Sequence, residues 1–337
     1  MTLTYLKERL NKSCAFINSI SDEKLSFIQI ANITLDLLIS IPIYGINITD
    51  YFLYRFYNKR HFEKLKFMSF RKRKLVMGVC NNKNEVNKFR DKATFNKIFN
   101  DFIKREWIDI DTCAYEDFVI FTEKHKFFIV KPKTGGDGKS IYKDGLKNIA
   151  NLNDYYHKLK GKGIILEEIV LQNREIAKFN PSSVNTVRVV TVLTTDNIPI
   201  IMTANFRMGN GTGIADNFHQ KGVVAAVDIE TGVVKSIGAD IEGKTYLFHP
   251  FSGQQIVGFK IPYWEEVCKT VHDAALVVPE VRYVGWDVVI GCDGIISIIE
   301  GNDTANPDIS QAADQEGKWP LYKPYIKIIK ELNKKQG

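Results

Sequence analysis

The residues best placed to do chemistry lie in one stretch, residues 284–302, VGWDVVIGCDGIISIIEGN. Asp293-Gly294 is turn chemistry, because the pair tolerates positive φ, so 287–290 and 295–299 read as the two apolar strands of a hairpin. Antiparallel pairing sets Asp287 on one strand beside Glu300 on the other, although the two are 13 residues apart. Asn302 lies two residues further on. Three oxygen-bearing side chains converging at the mouth of an apolar hairpin suit Mg²⁺. That ion takes hard oxygen ligands and completes its shell with waters and substrate phosphates. For Asp287 alone a solvated hairpin end is an equal reading. For the three together, with Glu300 closing a wholly apolar strand, the metal reading is the better one.

Such a site needs elements to position a substrate against it, and the preceding chain supplies candidates. Residues 126–132, KFFIVKP, read as a strand carrying Lys131 and ended by proline. The segment TGGDGKS follows, with Gly135, Gly136 and Gly138 ahead of Lys139 and Ser140. Clustered glycines let backbone N–H groups wrap an anion. The lysine precedes the glycines, so this is not a GxxxxGK[ST] phosphate loop; a plain hairpin turn is the alternative. A helix around 152–159 leads to a strand, GIILEEIV, ending in Glu167-Glu168. Residues 185–193 and 198–206 read as paired strands with a turn at 194–197. Arg188 lies inside the first of these apolar strands and Arg207 just beyond the second, and buried arginines need anionic partners. A loop at 207–221 holds His219, a candidate general base or an ordinary surface histidine. A helix at 264–278 precedes the hairpin, and a closing helix spans 322–332.

Composition bounds the class. The chain has 337 residues, 45% hydrophobic and 25% charged, as soluble globular proteins of two or three subdomains do. Five cysteines form no CxxC pair, which points to a reducing cytoplasm and no metal–thiolate site. No GxSxG or Cys/His arrangement suggests a nucleophilic enzyme. The N-terminus lacks a secretory apolar core, and the most apolar run, 35–48, is broken by Asp36, Pro42 and Gly45, too short to span a bilayer. Residues 1–75 look helical and basic, with nine Lys and Arg against Glu63 between 55 and 74, interleaved with phenylalanines. This is either a helix pair with a solvated lysine face, the favoured reading, or a surface for anionic lipid or a lipid-linked substrate. No recognition motif supports nucleic acid.

The order of these parts resembles the ATP-grasp superfamily: strand-Lys-Pro, glycine-rich flap, strand-Glu-Glu hinge, arginine strand pair, then Asp…Glu-x-Asn. PKTGGDGKSI, PSSVNTVRVVT, GNGTGIADNF and WDVVIGCDGIISIIEGN are similar to the sugar-transfer-associated ATP-grasp family, which is linked to bacterial surface polysaccharide synthesis. The resemblance implies an α+β ATP-grasp fold, two α+β subdomains clamping ATP behind an N-terminal, mainly helical basic segment. It divides the chain into 1–88, an ATP-grasp subdomain with the flap at 89–170, and a second with the metal site at 171–337. It further implies ATP and two Mg²⁺ as cofactors. Lys92 and Lys131 would contact phosphates and adenine, and Gly135, Gly136, Gly138, Lys139 and Ser140 would close on the β- and γ-phosphates. Glu167, Glu168 and the Val170 backbone would meet adenine. Glu175, or its rival Asn185, would hold the ribose, and Asp287, Glu300 and Asn302 would bind metal. Arg188 and Arg207 would stabilise the transferring phosphoryl group. In one departure, the D-alanine–D-alanine ligases carry arginine two residues before the metal aspartate, where this sequence has Gly285.

The implied activity is an ATP-dependent carboxylate–amine ligase working through an acyl phosphate. It would join an amino acid or amine to an acidic sugar, or an amino acid to an amino sugar, on a sugar nucleotide or lipid-linked glycan of capsule or O-antigen. A glycan kinase, or a nucleotide-binding regulatory subunit of an assembly complex, is the alternative. The expected location is cytoplasmic, with peripheral contact to an anionic membrane in view.

Overall fold

The computed structural model describes residues 11, 25–135, 140–211, 218 and 221–336. It holds two antiparallel sheets. The smaller has the order β1 (Trp107–Asp109), β4 (Ile164–Glu168), β2 (Phe127–Pro132), β3 (Tyr142–Gly145). Alternation along its strands turns Phe128, Val130 and Leu166 into a core with helices α7 (Tyr115–Lys124) and α8 (Leu152–Leu159). Lys131 and Glu167 fall on the opposite face. The polar stretch from 107 to 124 supplies β1 and α7, and a short helix, α9 (Arg174–Ala177), follows β4.

The larger sheet has seven strands in the order β11 (Ile296–Asn302), β10 (Tyr283–Ile290), β5 (Thr186–Leu193), β6 (Pro199–Met208), β7 (Val223–Val227), β8 (Gly238–Ala239), β9 (Thr245–Tyr246). One face is almost wholly apolar, with buried Thr191 accepting from the Trp286 indole N–H at 2.9 Å. Val187, Val189, Phe206, Trp286, Val288 and Ile298 pack there against α10 (Trp264–Ala275) and against Phe89, Phe95 and Phe99, which belong to or follow the short helices α5 (Asn87–Arg90) and α6 (Lys92–Ile98).

The other face is covered in two separate places. At one end Val190, Val192 and Tyr283 meet α4 (Phe70–Cys80) and α12 (Trp319–Gln336). At the other, Val224 and Ala226 meet α1 (Phe27–Tyr44), α2 (Ile48–Leu53) and α11 (Asp308–Asp314), with α3 (His61–Lys66) joining α2 to α4. The N-terminal helices therefore share cores with the large sheet. Between the two covered patches, the strands carry charged residues.

Candidate active site

Register dictates what meets on that open face. In an antiparallel sheet directly paired residues share a face, and so do alternate residues along a strand. Asp287 pairs with Arg188 on one side and Glu300 on the other, Arg188 with Asn205, and Gly285 with Asn302. Arg207 lies two residues beyond Asn205. Asp287, Arg188, Arg207, Glu300 and Asn302 thus project from one side of four adjacent strands. The gathering of Glu300 and Asn302 depends on a β-bulge. Ile298 pairs with Val288 and Glu300 with Asp287, so Ile299 has no partner. Without the extra residue, Glu300 and Asn302 would point into the apolar core.

The bulge has its own clasp. Arg105 donates to the carbonyls of Ile298 (2.8 Å) and Ile299 (3.1 Å). The same guanidinium grips Glu167 at 2.8 and 3.1 Å. Lys131 Nζ sits 2.6 Å from Glu167 Oε2, and Asn96 Nδ2 donates to Oε1 at 3.0 Å. All three ionic side chains are buried. Burial alone would raise the Glu167 carboxyl pKa, but Arg105 and Lys131 outweigh it and hold the carboxyl well below the usual range. Burial works against the Lys131 ammonium, lowering its pKa, and Glu167 opposes that. Glu167, expected from the resemblance to meet adenine, is engaged from within. Its oxygens are taken by three internal donors, and it ties the small sheet to the bulge of the large one. Glu168 is half-buried and accepts from the Glu106 N–H at 3.0 Å. Val170 lies just before Leu171, whose carbonyl accepts from the Cys292 N–H at 2.7 Å.

On the large sheet Arg188 grips Asp287 bidentately, through Nε and through Nη2 at 2.8 Å, and Arg207 Nη1 reaches the same carboxylate at 2.8 Å. Burial would push the Asp287 carboxyl up; Arg188 and Arg207 reverse that and hold it far below the ordinary aspartate value. Gly285 explains how the arginine fits. A Cβ there would lie 2.8 Å from Ala305 Cβ and 3.3 Å from Arg188 Cδ and Nη1. The strand position that is arginine in the D-alanine–D-alanine ligases is open in this chain, and the guanidinium of the neighbouring strand lies against it.

These groups line a cleft of about 770 Å³. Arg188, Arg207, Glu300 and Asn302 form one wall, and Lys92, Thr134 and Gly135 another. Lys92 Nζ donates to the Gly135 carbonyl at 2.8 Å, at the root of the glycine-rich segment. Ser140 is exposed at its far end; Gly136, Gly138, Lys139 and His219 lie outside the described residues. Sequence reasoning missed two arginines in this cleft. Arg73, from α4, donates to the Thr304 carbonyl at 2.7 Å, and Arg90 pairs with Asp303 at 2.8 Å. Arg73 was submerged in a basic run that read as surface. Arg90 carried no signal beyond its place beside Asp91 and Lys92.

The two ribose candidates separate. Asn185 is buried, donates to the Asn180 carbonyl at 2.9 Å and to Gln172 Oε1 at 3.0 Å, and accepts from the Gly209 N–H at 3.0 Å. Its amide braces the loop before β5. Glu175 is exposed and forms a surface ion pair with Lys178 at 2.6 Å.

Glu300 and Asn302 suit a hard cation. Asn302 Nδ2 donates to Glu300 Oε1 at 3.1 Å, which aims its carbonyl oxygen away from that bond. Asp287 accepts three hydrogen bonds and a carboxylate has about four lone-pair sites, so it keeps room for one further contact. Among the described residues no three His, Cys, Asp or Glu side chains cluster for a metal. The donor set is two carboxylates and an amide, which fits Mg²⁺ with waters and phosphates completing the shell.

A family model for sugar-transfer-associated ATP-grasp proteins matches residues 55–324. The chain belongs to the sugar-transfer-associated ATP-grasp family. The match begins within the N-terminal helices, of which α4 contributes Arg73 to the cleft. No curated protein matches the sequence. Among solved ATP-grasp structures, the ligase PsnB with minimal precursor, Mg and ADP is 16% identical at a TM-score of 0.46, over 74% of this chain and 62% of that one. The D-alanine–D-alanine ligase from Coxiella burnetii is 9% identical at 0.46, over 74% and 59%. D-cycloserine synthetase DcsG is 12% identical at 0.44, over 74% and 73%. This chain thus spans less than two thirds of the PsnB chain.

Proposed function

We propose that the protein is an ATP-dependent carboxylate–amine ligase acting in surface polysaccharide synthesis. The observation that carries this reading is the strand face itself. Two buried arginines, a carboxylate and the Glu300–Asn302 pair share one cleft with Lys92 and the root of a glycine-rich segment. A triphosphate is drawn to such a site, and so is a carboxylate substrate; Arg73 and Arg90 give the cleft cationic groups beyond those facing the phosphates. Glu300 and Asn302, with Asp287 behind them, would hold Mg²⁺, which supplies shielding of the triphosphate charge.

A carboxylate is a poor acyl donor because its leaving group is oxide. Its oxygen attacks the γ-phosphorus of ATP, the bond to ADP breaks, and an acyl phosphate forms. The amine nitrogen then attacks the acyl carbon, inorganic phosphate leaves, and the amine proton passes to solvent. Arg188 and Arg207 are preorganised for charge that develops on the phosphoryl oxygens, because Asp287 fixes their planes and burial spares them reorganisation. No side-chain nucleophile is needed. The acceptor class we favour is an acidic sugar, with an amino acid or amine as partner.

The test is an ADP-release screen crossing amino acids with nucleotide-linked uronic acids, with products read by mass spectrometry. An amide with ADP and phosphate in equal amounts supports the ligase. A phosphorylated glycan with ADP and no free phosphate contradicts it and makes the protein a glycan kinase.

A further inference from the structure

Helix α1 has two apolar faces and only one of them is covered. Ile33, Leu37, Ile41 and Tyr44 turn inward onto the core formed with α2 and α11. The outward side carries Phe27, Ile28, Leu35, Leu38, Ile39 and Ile43, at helical spacing, all exposed; Phe27 is 85% exposed and Leu35 59%. The one charged residue of the helix, Asp36, is bonded to Lys64 at 2.7 Å and to the Tyr51 hydroxyl at 2.6 Å, both groups of the protein's own interior. A helix that is apolar all round belongs where both sides are dry. Among the described residues nothing covers the outer side.

What borders this stripe identifies its occupant. At the C-terminal end of α1, Arg71 donates to the Pro42 carbonyl at 3.0 Å and the Tyr44 hydroxyl meets His61 Nδ1 at 2.6 Å. Next in sequence to these contacts, α3 and α4 carry exposed Phe62, Leu65 and Phe70. Interleaved with them are exposed Arg60, Lys66, Arg71 and Lys74, with Lys74 Nζ 5.6 Å from the Phe70 ring centre. The acidic residue in this stretch, Glu63, caps the Arg60 N–H at 2.7 Å. The rest of the basic run is used internally: Lys64 on Asp36, Arg55 on the Gly243 carbonyl, Lys59 on the Gln315 carbonyl, Lys72 on the Leu65 and Phe67 carbonyls, Arg73 in the cleft.

We infer that α1 lies in the plane of an anionic bilayer, its outer stripe at the acyl boundary and the cations of α3 and α4 on lipid phosphates. An exposed apolar helical face joined to a cationic rim is the pattern of interfacial membrane helices. At 18 residues, about 27 Å at 1.5 Å each, α1 stands at the lower limit for crossing a bilayer core of about 30 Å, long and apolar enough to do so by composition alone. The inner face, however, is fixed to the folded protein. Arg71 and Arg73, two residues apart on α4, point one to this surface and the other to the cleft. The cleft thus stands one helix behind the lipid, where a lipid-linked acceptor would be presented.

The test is flotation of the full chain with vesicles of phosphatidylcholine alone or mixed with phosphatidylglycerol. Binding should need the anionic lipid and weaken with salt. Leu35→Asp/Leu38→Asp/Ile39→Asp should abolish it without changing the circular dichroism spectrum, since those side chains touch no core. Lys66→Glu/Lys74→Glu, which leaves the stripe intact, should weaken it roughly tenfold or more. Failure of the parent protein to bind anionic vesicles at low salt overturns the inference. So does binding that neither variant weakens, or a dimer in light scattering that the triple variant disperses while vesicle binding is absent. None of these outcomes depends on the ligase reading.

Discussion

The two sheets each turn a carboxylate with two cations toward the middle of the molecule, and the two clusters do different work. On the small sheet, Glu167 is enclosed: Arg105, Lys131 and Asn96 use its oxygens, and Arg105 spends its remaining donors on the bulge carbonyls. On the large sheet, Asp287 fixes Arg188 and Arg207, but both guanidinium groups also line the cleft beside Glu300 and Asn302. A closed network orders the fold; an open one, held rigid from behind, is available to a ligand. Similar composition is therefore closed on itself in one place and open to a ligand in the other.

The largest effect should come from the closed network. Glu167→Ala leaves two buried cations uncompensated and should cost about 3–5 kcal/mol of stability, read from urea unfolding. Next is the open site: Glu300→Gln should lower ADP formation roughly 100-fold while changing stability by no more than about 1 kcal/mol. If the two variants exchanged these phenotypes, the division of labour would be reversed. A smaller effect is expected at Gly285→Ala, whose Cβ must displace Ala305 and press on Arg188. It should cut kcat about tenfold with little change in the KM for ATP; equal losses in both would show that Arg188 serves ATP binding instead.

The smallest effect near neutrality is that of pH on stability. Asp287 and Glu167 titrate below their ordinary values of 3.8 and 4.5, because burial is outweighed by the flanking cations. As pH falls, the unfolded chain takes up protons first. Stability should be flat above about pH 5 and decline below it. In urea midpoints measured down that range, Asp287→Asn and Glu167→Gln should each remove part of the acid slope. An unchanged slope in both variants would mean that neither carboxylate is ion-paired in solution.

Much of the site was legible in the sequence because strands impose period two. Lys131, Arg188, Asp287 and Glu300 stood out as polar residues in apolar strands, and their order along the chain matched the family. The bulge at Ile299 was not legible, since no residue type announces an extra residue within an apolar run; yet it decides which face Glu300 occupies. Arg105 could not be assigned, because its partners lie 62 and more residues away. The loop-bracing bonds of Asn185 were not legible either, because an amide before a strand looks the same whether it meets a ligand or braces its own loop. The exposed side of α1 was hidden for another reason: an apolar helix reads as core until its neighbours are placed.

The central claim is that the cleft phosphorylates a carboxylate, and the fate of that carboxylate's oxygen tests it most directly. With an acceptor labelled by ¹⁸O in its carboxyl group, ATP and an amine, the acyl phosphate must break at its carbon–oxygen bond. One labelled oxygen per turnover should then appear in the released inorganic phosphate, read by mass spectrometry. Phosphate released without label, alongside a product that keeps both labelled oxygens, would contradict the account.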